Sequence, residues 1–142
     1  MRRYLVVANQ TLLGDPLLAR IEQCLATGPC QFHLVVPATH APGRAMHTES
    51  RDRTFAAERL QEGLERFRAL GADVEGEVGD ARPIDAIRDV MLHAPPFQEI
   101  IVSTLPAGLS RWLHQDLPHR IHRTFELPTS TVTAPAVAKV AR

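Results

Sequence analysis

Residues 73–104 read DVEGEVGDARPIDAIRDVMLHAPPFQEIIVST and carry the signals of a strand, a helix and a second strand in succession. Asp73–Val78 is predicted to be the strand at the start of this stretch. Gly79-Asp80 and Pro83 suit the start of a helix, whose apolar residues recur at helical spacing until two prolines end it. Glu99–Thr104 (EIIVST) is then a nearly continuous apolar run, which is typical of a strand covered on both faces. This order of elements predicts a strand–helix–strand unit of an α/β protein.

The same alternation extends over the rest of the chain. Further strands are predicted at Arg3–Ala8, Phe32–Val36 and Thr129–Ala134, and helical periodicity fills the intervals between strands. Residues 1–142 therefore predict a single three-layer α/β/α domain, with a five-stranded parallel sheet of Rossmann-like order 3-2-1-4-5. Ala38–Asp52 is polar and irregular, and we expect it to be the one long loop.

The composition excludes several classes of protein. Apolar residues make up 44% and charged residues 23% of the 142 residues, as in ordinary globular proteins. Sixteen basic residues balance sixteen acidic ones, so the net charge favours neither nucleic acid nor an acidic membrane as a partner. No apolar run approaches the roughly 20 residues that span a bilayer. Two cysteines do not make a disulfide framework, and we expect a cytoplasmic protein.

The predicted strand order places a ligand site at the carboxyl ends of the first and fourth strands, where the winding direction reverses. Asn9-Gln10-Thr11 follows the first of these strands, and Ser103 and Thr104 end the other. The two hydroxyls can donate hydrogen bonds to a ligand or cap the next turn of helix, and the two roles are compatible.

A second group of candidate residues follows the fourth strand. Gly108, Ser110 and Arg111 can bind an anion, because the start of a helix offers N–H donors and the guanidinium of arginine binds phosphate through two N–H groups. The alternative is an ion pair between Arg111 and Asp116 that holds the loop shut. The sequence leaves both alternatives open.

Four segments carry a resemblance in their order and spacing. They are an opening strand with its loop (YLVVANQT, 4–11), a third strand with its helix start (VEGEVGDARPIDAIRDV, 74–90), a fourth strand running into a G-L-S-R turn (EIIVSTLPAGLSRWL, 99–113), and a closing strand (PTSTVTAP, 128–135). Together they resemble the universal stress protein family over nearly the whole chain. The resemblance implies the family's HUP-type α/β fold and a stress-response or regulatory binding module.

The ATP-binding branch of that family carries a G-x2-G-x9-G-[S/T] pattern. Aligned on Gly108, the pattern falls at Val102, Leu105, Gln115 and Asp116, so every glycine is replaced. Glycine lets a backbone loop approach phosphates closely and adopt a positive φ. We therefore expect the family's ATP binding to be absent, and we predict no firm cofactor.

The acidic residue usual after the family's first strand is Asn9 here, which can still hydrogen-bond a ribose. The candidate binding residues at the crevice are Asn9, Gln10, Val36, Val102, Ser103, Thr104, Gly108, Ser110 and Arg111. The alternative function is a nucleotide or phosphometabolite binder, or a slow hydrolase, in which the hydroxyls of 103, 104 and 110 and the guanidinium of 111 take the place of the glycine loop.

The sequence contains no catalytic or metal-binding motif of a known type. His119 and His122 share a helix face and His114 precedes them, but no cysteine or well-spaced carboxylate completes a first coordination shell. No nucleophile elbow, Walker loop or H-E-x-x-H motif is present. We therefore predict no catalytic residue and no metal ligand, and a binding protein is favoured over an enzyme.

The fifth strand is the candidate dimer interface. In the predicted order it lies at a sheet edge, and its centre, TSTVT, is uncharged and rich in β-branched residues. Exposed edges of this kind are normally covered, charged or paired. The resemblance implies pairing of this strand with its copy across a two-fold axis. We predict a homodimer through this strand, with the N–H of Val132 at the centre of the exposed edge.

Overall fold

The computed structural model describes residues 1–9, 11–12, 14–39, 49–105, 112 and 116–134. Its five strands form one sheet in the order β3-β2-β1-β4-β5, and every neighbouring pair is parallel. The strands are β1 (Arg2–Val7), β2 (Cys30–Pro37), β3 (Asp73–Gly79), β4 (Glu99–Thr104) and β5 (Thr129–Thr133). The predicted fold class and strand order are confirmed.

Four helices connect the strands within the described ranges. They are α1 (Asp15–Thr27), α2 (Glu49–Ala69), α3 (Pro83–His93) and α4 (Leu117–Phe125). Proline stands in the first turn of α1, α3 and α4, where its missing N–H costs no helical hydrogen bond. No helix in these ranges has the length and apolar character needed to cross a membrane.

Two apolar clusters cover the two faces of the sheet. One cluster joins α1 and α2 to the sheet and includes Ile21, Leu34 and Phe67. The other joins α3 and α4 to the opposite face and includes Ile87 and Ile121. All five side chains are fully buried (0% exposed), and the burial of each stabilises the fold by about 1.5–3 kcal/mol. This packing explains why the central strands β1 and β4 are nearly continuous apolar runs instead of alternating.

The second helix is longer than the sequence predicts. It begins at Glu49, so the last four residues of the predicted loop are helical, and this part of the loop prediction was wrong. The backbone of a helix places Asp52 on the same face as Ala56 and Leu60, and all three are buried. The polar residues 49–52 favour a loop on composition, but they extend a helix whose Ala56 and Leu60 are buried against the sheet. Residues 40–48 lie outside the described residues.

Helix α2 approaches β3 at a glycine. A Cβ added to Gly76 would lie 2.6 Å from the carbonyl oxygen of Leu34 and 2.7 Å from a methyl group of Leu60. Neither distance is compatible with a side chain, so the close packing of α2 on β2 and β3 depends on this glycine.

Candidate functional site

Strands β1 and β4 lie side by side up to their carboxyl ends, where Val7 pairs with Val102. Beyond this pair, the hydroxyl oxygens of Thr11 and Ser103 lie 2.6 Å apart and form a hydrogen bond across the two strands. Thr11 is 7% exposed and Ser103 2% exposed. The two sides of the predicted crevice are therefore joined by a short, buried hydroxyl–hydroxyl hydrogen bond.

Asn9 links three elements around the same crevice. Its side-chain Nδ2 donates to the carbonyl oxygen of Pro37 at 2.6 Å and to Oγ1 of Thr39 at 3.0 Å. Its Oδ1 accepts a hydrogen bond from Nη1 of Arg59 at 2.9 Å. An aspartate could not donate to the Pro37 carbonyl, so this arrangement requires the amide. An amide in place of a carboxylate at this position therefore has a structural reason.

Arg59 is a site residue that the sequence analysis missed. It lies on α2, fifty positions from Asn9 in the chain, and it brings a guanidinium to the carboxyl end of β1. In the sequence it is one of several arginines on a polar helix. Its neighbour Leu60 on the buried face was the one available signal that α2 passes close to the sheet here.

Thr104 takes part in the pairing of β4 with β5. Its carbonyl oxygen accepts the N–H of Ala134 at 2.9 Å, and its hydroxyl lies 3.4 Å from that of Thr133. Thr104 is 2% exposed. The described side-chain contact of Thr104 is therefore with β5, the strand at the sheet edge.

Two other candidate residues contribute to the apolar core. Val36 packs in the cluster that faces α1 and α2, and Val102 packs in the cluster that faces α3 and α4. Neither is exposed. Gln10, Gly108, Ser110 and Arg111 lie outside the described residues, and the ligand-binding role of the whole set stays a prediction.

Asp116, at the last position of the aligned glycine pattern, has a left-handed backbone with φ 56° and ψ 40°. Few non-glycine residues adopt this conformation, although aspartate does so more often than most. Asp116 precedes α4 and its carbonyl oxygen accepts the N–H of Arg120, but its exposed side chain makes no capping hydrogen bond. The predicted pair with Arg111 falls outside the described residues.

Two of the three histidines considered as metal ligands, His119 and His122, lie on α4. His119 is exposed, and Nδ1 of His122 donates to the carbonyl oxygen of Leu127 at 2.8 Å. His114 lies outside the described residues. The hydrogen bond of His122 lies at the end of α4, where it fastens the helix to the turn before β5.

A cleft of about 580 Å³ opens at the carboxyl end of β3 against the first turns of α2. Strand β2 separates β3 from the crevice between β1 and β4. The described lining residues are Ser50, Arg53, Thr54, Ala57 and Val78. The predicted site residues are not among them.

No family model and no curated protein matches the chain by sequence. Solved structures do match its fold. A universal stress protein family protein from Arabidopsis thaliana with AMP bound is 13% identical, with 97% of this chain and 95% of that chain covered and a TM-score of 0.63.

Two further universal stress protein structures are similar. The protein from Archaeoglobus fulgidus in complex with dAMP is 16% identical, with coverage of 93% and 97% and a TM-score of 0.61. A universal stress protein in complex with cAMP is 17% identical, with coverage of 94% and 98% and a TM-score of 0.56. The chain has the universal stress protein fold, as the sequence resemblance implied.

Proposed function

We propose that the chain is a regulatory binding module of the universal stress protein type, acting in the cytoplasm in a stress response, and that it does not hold ATP in the manner of the ATP-binding branch. The observation that carries the proposal is the hydrogen bonding at the carboxyl ends of β1 and β4. The hydroxyls of Thr11 and Ser103 already bond to each other, and the Asn9 amide already bonds to Pro37, Thr39 and Arg59.

Ligand binding in this crevice has to replace those hydrogen bonds. A ligand that separates Thr11 from Ser103 must offer each hydroxyl a new partner, because an unpaired buried hydroxyl costs about 1–3 kcal/mol. The side-chain amide of Asn9 is likewise hydrogen-bonded to Pro37, Thr39 and Arg59. A ligand that brings only a ribose and an adenine gains little here over the bonds it displaces.

The phosphates of ATP find no glycine loop. Leu105 takes one glycine position immediately after β4, and Asp116 takes the position of the family's serine or threonine. The carboxylate of Asp116 is exposed, and it repels a triphosphate through like charge. These replacements support the proposal that ATP binds weakly.

A second candidate function is the binding of a small phosphate-bearing ligand, such as a nucleoside monophosphate or a phosphometabolite. The observation in its favour is Arg59, whose guanidinium lies at the crevice. Arginine binds one phosphate group through its planar fork of donors. The fold neighbours with AMP, dAMP and cAMP add support, because all three carry one phosphate.

Thermal shift measurements with ATP, AMP, cAMP and inorganic phosphate test both candidates. A ligand at 100 times its Kd stabilises the folded protein by about 2.7 kcal/mol. The first candidate predicts no stabilisation by ATP at 1 mM. The second predicts stabilisation by AMP or phosphate that the variant Arg59→Gln loses.

The matched control is Arg66→Gln, which removes an exposed arginine in the last turn of the same helix. It is expected to retain the full ligand-dependent shift. If Arg59→Gln and Arg66→Gln respond equally to phosphate, Arg59 has no part in binding and the second candidate is withdrawn.

We also propose a homodimer through β5. Within the described residues β5 is hydrogen-bonded to β4 on one side, and the order of the sheet leaves its other side at the edge. Two copies of this edge can pair about a two-fold axis, and such a contact leaves no further open edge.

The hydrogen bonds of β5 identify which of its amides are at that edge. Pro128 accepts from Ile100 and Ala134 donates to Thr104, so even-numbered residues of this strand bond to β4. Alternation then directs the amides of odd-numbered residues, including Thr131, away from β4. The prediction that the N–H of Val132 lies at the exposed edge was wrong, and Thr131 takes that place.

A further inference from the structure

A cluster of three metal-ligating side chains lies on the α3 face of the sheet, away from the crevice. It consists of His33 on β2, Glu77 on β3 and His93 at the end of α3. One ligand atom from each residue lies within 4.8 Å of the other two. We propose that these residues bind a zinc-class divalent cation through Nε2 of both histidines and a carboxylate oxygen of Glu77.

The geometry of the cluster is close to that of a metal site. Nε2 of His33 lies 2.7 Å from Oε2 of Glu77, and Nε2 of His93 lies 2.9 Å from the same oxygen. A zinc ion with bonds of about 2.0–2.1 Å to each ligand requires neighbouring ligand atoms roughly 3.3 Å apart. Each of the two short separations then widens by about half an ångström. The separation between the ligand nitrogens of the two histidines, which is at most 4.8 Å, has to reach the same value. His93 is half exposed at a helix end, so it can make this adjustment.

The donor set fits zinc chemistry. Two imidazoles and one carboxylate are ligands that zinc takes in three-ligand sites, and they leave the fourth tetrahedral position to water or another small ligand. Binding requires each imidazole to carry its proton on Nδ1, so that Nε2 presents a lone pair. In the metal-free state the same two Nε2 atoms carry protons and donate to Glu77, as the short distances indicate.

The first ligand is held rigidly by its surroundings. His33 lies in the middle of the sheet, where it pairs with Leu5 on one side and Glu75 on the other. Its side chain is 11% exposed, and its ring packs edge-on against Phe97 with centroids 5.9 Å apart. Ligands that are fixed before the metal arrives lose little entropy on binding.

The local electrostatics also favour a cation. His93 is the last residue of α3, and the carbonyl end of a helix carries partial negative charge. Glu75 projects from β3 on the same face as Glu77, since alternate residues of a strand share a face. Its side chain is exposed to solvent, which screens its charge, so it adds little to this attraction.

This cluster could not be predicted from spacing, because its members lie 16 to 60 positions apart in the chain and on three different elements. The three histidines that the sequence suggests as metal ligands, at 114, 119 and 122, are instead close together in the chain. Parallel pairing of β2 with β3 and packing of α3 over both strands bring the three side chains together.

Zinc titration of chelator-treated protein without an affinity tag, at pH 7.5, tests the proposal. The expected result for the wild-type chain is saturable binding of one Zn²⁺ per chain with a Kd of about micromolar or tighter. Glu77→Gln and His93→Gln are each expected to weaken binding by at least about tenfold, as removal of groups that hold a metal commonly does.

Two matched variants serve as controls. Glu75→Gln removes the neighbouring carboxylate of the same strand face, and His119→Gln removes an exposed histidine on α4. Both are expected to retain wild-type zinc affinity within about threefold. Equal weakening in Glu77→Gln and Glu75→Gln would mean general attraction to negative charge and would overturn the site.

Cobalt substitution gives a second readout that does not depend on a folded variant. Co²⁺ bound to the wild-type chain is expected to show the strong visible absorption of a four-coordinate ion, and one equivalent of Zn²⁺ is expected to remove it. Absence of saturable 1:1 zinc binding, or only the weak absorption of hydrated Co²⁺, would overturn the proposal. The three side chains would then form a purely hydrogen-bonded contact.

Discussion

The hydrogen bond between Thr11 and Ser103 allows a quantitative test of the crevice. Both hydroxyls are buried and 2.6 Å apart. Ser103→Ala leaves the hydroxyl of Thr11 without this partner, and Thr11→Val does the same to Ser103. Each single variant is expected to lose about 1–3 kcal/mol of the free energy of unfolding, because an unpaired buried hydroxyl keeps its desolvation cost.

The double variant Thr11→Val/Ser103→Ala removes both hydroxyls together. It is expected to be less destabilised than the sum of the singles by about 1 kcal/mol, since neither hydroxyl is then left unpaired. Urea denaturation of the four proteins measures this coupling energy. The exposed Thr54, whose hydroxyl donates to the carbonyl oxygen of Ser50, provides the control: Thr54→Val is expected to change stability by at most about 0.5 kcal/mol.

The expectation is contradicted if the stability losses of the two single variants simply add up in the double variant. Sites without shared partners add within about 0.3–0.5 kcal/mol, so a coupling energy inside that range would mean that no hydrogen bond joins the two strands here. A coupling of about 1 kcal/mol would place the Thr11–Ser103 bond among the contacts that a ligand in the crevice has to replace.

Three further predictions follow from described contacts. Thr131→Pro removes an amide directed away from β4, so it is expected to shift the proposed dimer to the 15.7 kDa monomer in light scattering while the fold persists. Val132→Pro removes an amide directed towards β4, so it is expected to destabilise the sheet itself. A folded Thr131→Pro dimer would place the interface elsewhere. Burial raises the pKa of the Cys24 and Cys30 thiols, so both are expected to resist a thiol reagent at pH 8 until the chain unfolds. Because the unfolded thiols ionise first, the free energy of unfolding is expected to fall as the pH rises above about 8.5. Prompt labelling of the native protein would contradict this. Gly76→Ala is expected to cost at least about 1–3 kcal/mol in urea denaturation because its Cβ would overlap a backbone carbonyl, and an unchanged midpoint would show that α2 packs more loosely than described.

The fold was predictable because β1 and β4, at the centre of the sheet, are apolar runs and each described helix carries an apolar face. The two clusters on either side of the sheet follow from these patterns, and β4 was predicted with the bounds Glu99–Thr104 that the structure has. The start of α2 was not predictable from its letters, because the polar run before Phe55 extends a helix whose Ala56 and Leu60 are buried against the sheet.

The candidate site was predictable in its position more than in its contacts. The strand order alone places Asn9 and Ser103 at neighbouring strand ends. The bonds of Asn9 to Pro37 and Arg59 depend on how β2 and α2 pack, over separations of 28 and 50 residues. Pattern and spacing carry no information about such pairs.

We propose that this chain, although it has the universal stress protein fold, does not bind ATP in the manner of the ATP-binding branch. Titration calorimetry of the wild-type chain with ATP and Mg²⁺ measures this affinity. We expect a Kd no tighter than about 1 mM, an affinity worth about 4 kcal/mol. A Kd in the low micromolar range would contradict it and would mean that the residues at 102, 105, 115 and 116 hold a triphosphate without glycine.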